Sequence, residues 1–269
     1  MEHERSSVGG AFQPATDPIA VDRVRSFLLA QGWAGLSLGD YLTRLEMSGV
    51  AASEVLWWIP GRAAEARAVA LLHQGVLGLL LSSSDDGPAA LELIRASRGG
   101  LQRISVLEGA VLYSGLDDFH LYRRELAVAP QLQIPAFPLP ETRPARPEDA
   151  EQLYHVYESV SWMREESPRA WRERIRDQRC WVAELEGRVV AAARWTMSFG
   201  PWVEVGGVAT RPEFRRRSAG SAVTLAASAA ALAEGRQVAL RYGDPALAAL
   251  YHTLGFEHVG RELAFRRKS

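Results

Sequence analysis

Arg215, Arg216 and Arg217 run directly into Ser218, Ala219, Gly220 and Ser221, and the chain changes its hydrophobic period at that point. Before the turn lies an apolar, β-branched run, Val203 to Thr210, interrupted by Gly206-Gly207, and Pro212 follows it. After the turn comes an Ala-rich stretch, Ser221 to Glu234, that reads as a helix stopped by Gly235. A strand that ends in a basic, small-residue turn and becomes a helix can bind an anion. The first N–H groups of a helix have no intrahelical acceptor, and the dipole there favours negative charge. Side chains as small as those of Ser218 to Ser221 let a phosphate approach the backbone, and the three arginines supply charge. An Arg-rich turn of this kind is also what a solvated loop looks like.

A second constellation follows about thirty residues later: a short strand, then Asp244-Pro-Ala-Leu-Ala-Ala-Leu-Tyr-His-Thr-Leu-Gly-Phe256. Taken together, the two stretches resemble the core of the GNAT superfamily of N-acetyltransferases. That pattern is a bulged strand, Arg/Gln-x-x-Gly-x-Gly/Ala opening a helix, then Asn-Pro-x-x-x-x-Leu-Tyr-x-x-x-Gly-Phe. Arg215-Arg-Arg-Ser-Ala-Gly220 fills the first motif and residues 244–256 the second. Within the superfamily, the Ser-Ala-Val continuation at 221–223 is similar to the glycine N-acyltransferase-like branch. Two positions depart from the pattern: Ser218 stands at the first motif glycine, adding a Cβ where a pyrophosphate approaches, and Asp244 replaces the usual Asn. The resemblance covers about residues 142–267.

The resemblance implies acetyl-CoA, or another acyl-CoA, as co-substrate and no metal. Val208, Ala209 and Thr210 would run beside the pantetheine arm, and the N–H groups of Arg216 to Ser221 would hold the pyrophosphate, aided by Arg215 and Arg217. Acyl transfer from a thioester to an amine needs a polarised carbonyl, a proton taken from the amine and a proton given to the thiolate. Gly206-Gly207 before Val208 suits a β-bulge, which leaves a backbone N–H for the carbonyl oxygen. The same glycines could instead relieve crowding beneath a helix. Tyr251 occupies the position of the family's proton donor, and a core tyrosine is the competing reading, because 247, 250, 251 and 254 share a helical face. Glu204, in phase with Trp202, Gly206 and Val208, is the candidate general base, or else a hydrogen-bonded strand carboxylate. Asp244 could touch the pantetheine or the amine, and N-capping before Pro245 explains it more simply. Trp162, Met163, Trp171, Trp195 and Met197 could wall an apolar acceptor site or pack a core. His252 points off a different face from Tyr251, towards solvent.

The chain has 269 residues, long for one domain and comfortable for two, with 47% apolar residues and a net charge of −1. That charge argues against a nucleic-acid footprint or an anionic membrane surface. Lys268 is the sole lysine, which removes lysine-based covalent chemistry, and Cys180 is the sole cysteine, so no intrachain disulfide can form. The N-terminus has no apolar core, and no apolar run approaches the length of a membrane span, so the expectation is a cytoplasmic protein.

The fold class expected is α/β with a mixed sheet: a GNAT-type C-terminal domain preceded by a smaller α/β unit. Residues 1–16 read as disordered and 17–130 as the N-terminal unit. Within that unit the sequence suggests a helix capped by Asp17, a short helix over 39–47 and a strand over 54–59. A hairpin around Gln74-Gly75, a helix over 88–97 and a strand over 119–128 follow. The order resembles a truncated, degenerate acetyltransferase half. Trp57 and Trp58 cannot share one strand face, so one of them is expected to pack against the other domain or a partner subunit. Six prolines between 130 and 147 make 131–141 a linker, and 142–269 is the acetyltransferase domain. There, helices over 148–159 and 168–177, a hairpin around Glu186-Gly187 and strands over 203–210, 237–242 and 257–266 are expected, with 261–268 as a solvated strand. The expected activity is N-acetyl transfer to a primary amine of a small molecule or peptide, by direct attack in a ternary complex, with the N-terminal unit shaping the acceptor pocket or a homodimer. A non-catalytic acyl-CoA sensor and a scaffold that binds no CoA are the rival readings.

Overall fold

The computed structural model describes residues 11–61, 65–107, 116–158, 160, 167–177 and 179–268. They form two compact units, Met1–Arg124 with Gly260–Ser269, and Glu125–Val259.

The first unit runs β1 (Gln13–Pro14), α1 (Pro18–Ala30), α2 (Leu36–Met47), α3 (Ala52–Val55), β2 (Leu56–Pro60), β3 (Ala66–His73), β4 (Val76–Leu81), α4 (Gly87–Ser97), β5 (Arg103–Leu107) and the start of β6 (Phe119–Ala129). Asp17 caps α1 by accepting the Ala20 N–H at 2.9 Å, with Pro18 in the first turn. The β3–β4 hairpin turns on Gln74 and Gly75, both at positive φ, as a two-residue hairpin loop requires. The core gathers Ile59, Leu77, Ile104, Leu263 and Phe265 between this sheet and α4.

Four sequence expectations change here. Gln13–Pro14 pairs with Trp57–Trp58 and Ala15 N–H donates to Leu56 O, so order begins inside the stretch read as disordered; residues 1–10 lie outside the described residues. Residues 54–55 belong to α3, a single helical turn, and the strand begins at Leu56. β5 was not anticipated, although its alternation is complete, with Ile104 and Val106 buried. The expectation for the Trp pair narrows: Trp57 packs against the core of its own unit, and Trp58 is buried.

The second unit continues with β7 (Glu141–Pro144), α5 (Ala150–Glu158), α6 (Pro168–Asp177), β8 (Cys180–Leu185), β9 (Arg188–Phe199), β10 (Trp202–Thr210), α7 (Ala219–Ala233), β11 (Gln237–Tyr242), α8 (Ala248–Thr253) and β12 (Glu257–Arg267). β8 and β9 turn at Glu186 and Gly187, again with positive φ. The residues of β9 from Val189 to Ala193 are fully buried, and their small size lets the Ala-rich α7 lie close above the sheet. The proline-rich stretch after β6 is no free tether. Gln133 N–H donates to Leu254 O, and Leu132 and Leu139 pack on the core of the second unit.

Both units have one topology. In the first the strand order is β1-β2-β3-β4-β5-β12, with β4 and β5 parallel; in the second it is β7-β8-β9-β10-β11-β6, with β10 and β11 parallel; every other pairing reported within a unit is antiparallel. The sixth strand of each unit thus comes from the other half of the sequence. β12 is accordingly no solvated tail, since Leu263 and Phe265 lie in the first unit's core. The domain expectation of 17–130, 131–141 and 142–269 differs from this division for the same reason: strand exchange leaves no local signature in composition. No helix among the described residues is long and apolar enough to cross a membrane.

Candidate functional site

The second unit opens where β10 leaves β11. The two parallel strands pair only at Trp202–Gln237, Val203–Val238 and Glu204–Ala239. Beyond Glu204, β10 runs on to Thr210 and β11 to Tyr242 without further pairing to each other. Along this divergent stretch β10 is also irregular on its other edge. Gly206 pairs with Arg194 and Ala209 with Ala192, so Gly207 and Val208 together face Ala193. This is a β-bulge at the position the sequence suggested. Gly207 has φ +59, and a Cβ there would stand 3.0 Å from Arg194 Nε, so backbone conformation and crowding both demand glycine. The Gly207 carbonyl accepts a hydrogen bond from Tyr157 Oη at 2.6 Å.

β10 ends in the basic turn. A single 3-10 turn, Pro212–Phe214, buries Phe214, Arg216 takes φ +63, and Ser218 takes φ +60 as the residue preceding α7. Ala222 N–H donates to Ser218 O at 3.0 Å, the first bond of the helix, which leaves the N–H groups of Ala219, Gly220 and Ser221 without intrahelical acceptors. Arg215, Arg216 and Arg217 are exposed around this turn, with Arg217 stacked over the Phe214 ring and 3.4 Å from Glu186. At Gly220 a Cβ would lie 3.4 Å from Thr210 Oγ1, which puts the first turn of α7 against the end of β10. Thr224 Oγ1 donates back to Gly220 O at 2.8 Å.

Tyr251, on α8, is buried with its ring 5.1 Å from Tyr242 and 6.0 Å from Phe256. Burial, helped by the neighbouring Tyr242, pushes its phenol up to about 12. Asp244 is exposed and caps the last helical segment, its Oδ1 accepting the Ala246 N–H at 2.9 Å. Glu204 is buried at the closed end of the divergence. Its Oε1 accepts from Thr196 Oγ1 at 2.6 Å and its Oε2 from Arg241 Nε at 2.5 Å, Arg241 being a half-buried residue of β11. A divergent parallel strand pair, a glycine bulge and a helix start whose first N–H groups have no intrahelical acceptor thus lie close together in the second unit.

Residues 147–256 match the acetyltransferase (GNAT) family. The match supports acyl-CoA-dependent N-acetyltransferase activity in general. Among solved structures the chain is similar to a GCN5-related N-acetyltransferase from Sphaerobacter thermophilus (17% identity, 95% of each chain, TM-score 0.61). It is also similar to a GCN5-related N-acetyltransferase from Kribbella flavida (21% identity, 76% of this chain and 87% of that one, TM-score 0.51). A tandem GNAT protein from the clavulanic acid biosynthesis pathway is a third (14% identity, 95% of this chain and 96% of that one, TM-score 0.54). At these identities the likeness is one of fold. No curated protein matches the sequence.

Three residues of the second unit near these elements are not among the expected site residues. Tyr157 lies on the buried face of α5 with Ala150, Leu153 and Val156. A buried tyrosine on such a stripe must place its hydroxyl somewhere, and that is the one sequence signal of a partner. Arg241 and Thr196, which engage Glu204, had no local signal. Of the five aromatic and Met residues considered for an acceptor wall, Trp162 and Met163 lie outside the described residues. Trp171 is fully buried, stacked on Tyr157 at 4.4 Å and 6°. Trp195 donates from Nε1 to Ala227 O at 3.0 Å, and Met197 Sδ lies 2.9 Å from an Arg241 nitrogen. Cys180 is buried and its thiol is pushed up to about 12 by desolvation, which leaves it inert as a nucleophile.

The equivalent place in the first unit is built differently. β4 and β5 stay paired over Val76–Leu79 and Arg103–Val106, and the following turn carries Asp85 and Asp86 where the second unit carries arginines. The Asp86 carboxylate is fully buried 2.6 Å from Arg67, and burial pushes its pKa up against the pull of that guanidinium. An internal carboxylate occupies the start of α4, so this turn is unsuited to a phosphate.

Proposed function

We propose that the GNAT domain transfers an acetyl group from acetyl-CoA, or another acyl-CoA, to a primary amine of a small molecule or peptide, by direct attack in a ternary complex. The observation that carries this reading is the parting of β10 from β11 beyond Glu204, beside the Gly207 bulge. An extended pantetheine arm can hydrogen-bond to the free edge of β10 at Val208, Ala209 and Thr210 in place of a strand. The N–H groups of Ala219, Gly220 and Ser221, with those of Arg216 to Ser218 in the turn, suit the pyrophosphate, and Arg215 to Arg217 supply the charge. Gly220 keeps the approach open, because a side chain there would stand between the turn and Thr210.

In this proposal Val208 N–H polarises the thioester carbonyl. Glu204 accepts the amine proton, directly or through water; each of its oxygens has a second lone pair beyond the bonds from Thr196 and Arg241. Tyr251 is neutral below about pH 12 and gives its proton to the departing thiolate as the C–N bond forms and the C–S bond breaks. Asp244 shapes the end of the slot through its helix cap. The Ser-Ala-Val continuation at 221–223 supports a place near the glycine N-acyltransferase-like branch.

Free-thiol release from acetyl-CoA across a panel of amino acids, polyamines and peptides tests the activity. With an acceptor found, Tyr251→Phe and Glu204→Gln are each expected to lower kcat by about 10²-fold with little change in KM for acetyl-CoA. Unchanged kcat in Glu204→Gln moves the base elsewhere. Acetyl-CoA binding without turnover on any amine favours the sensor reading.

A further inference from the structure

The bulge in β10 is held from outside the sheet. Tyr157, on α5, is fully buried, its ring stacked on Trp171 at an interplanar angle of 6°, and its hydroxyl donates to Gly207 O at 2.6 Å. A hydroxyl bond to a strand carbonyl is uncommon inside a sheet, where the neighbouring strand takes that role. It can form here because the bulge turns the Gly207 carbonyl out of the ladder. The chain has no cis peptide bond among the described residues, so in the Gly207–Val208 peptide the carbonyl and the N–H point in opposite directions. Fixing the first fixes the second.

We propose that Tyr157 is a positioning residue: by holding the Gly207 carbonyl it aims the Val208 N–H at the place of the thioester oxygen. The inference rests on the acyl-transfer reading above and adds to it the device that sets the carbonyl-polarising group. Two features make the device stiff. The ring of Tyr157 is stacked on Trp171. Arg194, whose guanidinium lies 5.6 Å from the Trp171 ring centre, crowds Gly207 beside the Tyr157 hydroxyl. A preorganised donor acts in the transition state without reorganising, which is the reason to anchor one peptide so heavily.

The test needs no acceptor amine. Acetyl-CoA labelled with carbon-13 at the thioester carbonyl is bound to the whole chain, and its carbonyl stretch is read by difference infrared spectroscopy. CoA and acetyl-CoA affinities are measured alongside. Wild type is expected to lower the stretch relative to free acetyl-CoA. Tyr157→Phe keeps the ring stack and removes only the hydroxyl. It is expected to lose most of that downshift while binding CoA within about threefold of wild type, the scale of one weak hydrogen bond. Tyr154→Phe, on the same helix, is expected to keep the full downshift. Should Tyr157→Phe fail to fold, Gly207→Ala disturbs the same peptide from its other end and is expected to lose the downshift too. A full downshift in either folded variant overturns the inference, as does acetyl-CoA bound to wild type with an unshifted carbonyl. No binding of acetyl-CoA or CoA to wild type overturns the acyl-transfer reading itself, a separate outcome.

Discussion

Ser218 is where the anion turn departs from its family pattern, and its conformation says what the departure costs. A non-glycine residue at φ +60 sits in the left-handed region, where a Cβ crowds the following carbonyl by about 1 kcal/mol or more. Ser218→Gly is therefore expected to stabilise the protein by about 1 kcal/mol in chemical denaturation, and to tighten CoA binding through easier approach to the α7 N–H groups. Looser CoA binding in that variant would mean that the serine hydroxyl itself contacts the phosphate. Tyr251 and Cys180 contribute to the alkaline limit. Their folded-state values near 12 lie above the ordinary 10.0 and 9.0, so above those ordinary values the unfolded chain sheds protons that the folded chain retains. Stability from these groups is complete below about pH 9 and falls as pH rises towards 12. Denaturation midpoints across that range are expected to decline, and the decline is expected to be shallower in Tyr251→Phe.

At the level of elements, the second unit depends on a clasp at its edge. Arg143 on β7 donates to both oxygens of Asp149, at 2.7 and 2.9 Å, and to Glu184 on β8. Asp149 also accepts the Arg146 N–H at 2.7 Å, fixing the turn that starts α5. Burial alone would push the Asp149 carboxyl up, but the bonds from Arg143 and Arg146 prevail and hold it below the usual range. Arg143→Ala leaves a buried carboxylate without its cation, and is expected to cost about 3 kcal/mol at neutral pH. The loss should shrink below pH 4, where Asp149 is protonated in the unfolded chain and the clasp contributes less. An unchanged denaturation midpoint at pH 7 would show that water replaces the arginine. Elements like these were largely legible in the sequence because their signals are local: Asp17 and Ser167 cap, the Gln74-Gly75 and Glu186-Gly187 turns close hairpins, and the Gly206-Gly207 pair marks the bulge. What stayed hidden is non-local. The bond from Tyr157 to Gly207 and the pair of Glu204 with Arg241 join residues far apart in the chain, and no spacing rule connects them.

For the whole molecule, a repeated topology with exchanged sixth strands accounts for what composition could not convey. The proline-rich stretch resembles a domain boundary, yet β6 before it serves the second unit and β12 at the end serves the first. The two units differ at the matching helix start: one carries the basic turn at Arg215–Ser218, the other an internal carboxylate, Asp86. The turn at Ser218–Ser221 is proposed to bind the CoA pyrophosphate, which the thermal unfolding midpoint with and without acetyl-CoA tests. At about a hundred times Kd the ligand adds roughly 2.7 kcal/mol, a rise of a few degrees. The rise is expected in wild type and absent in Gly220→Glu, whose carboxylate fills the turn with the wrong charge. An equal rise in both proteins, or none in either, would mean that this turn does not hold the pyrophosphate.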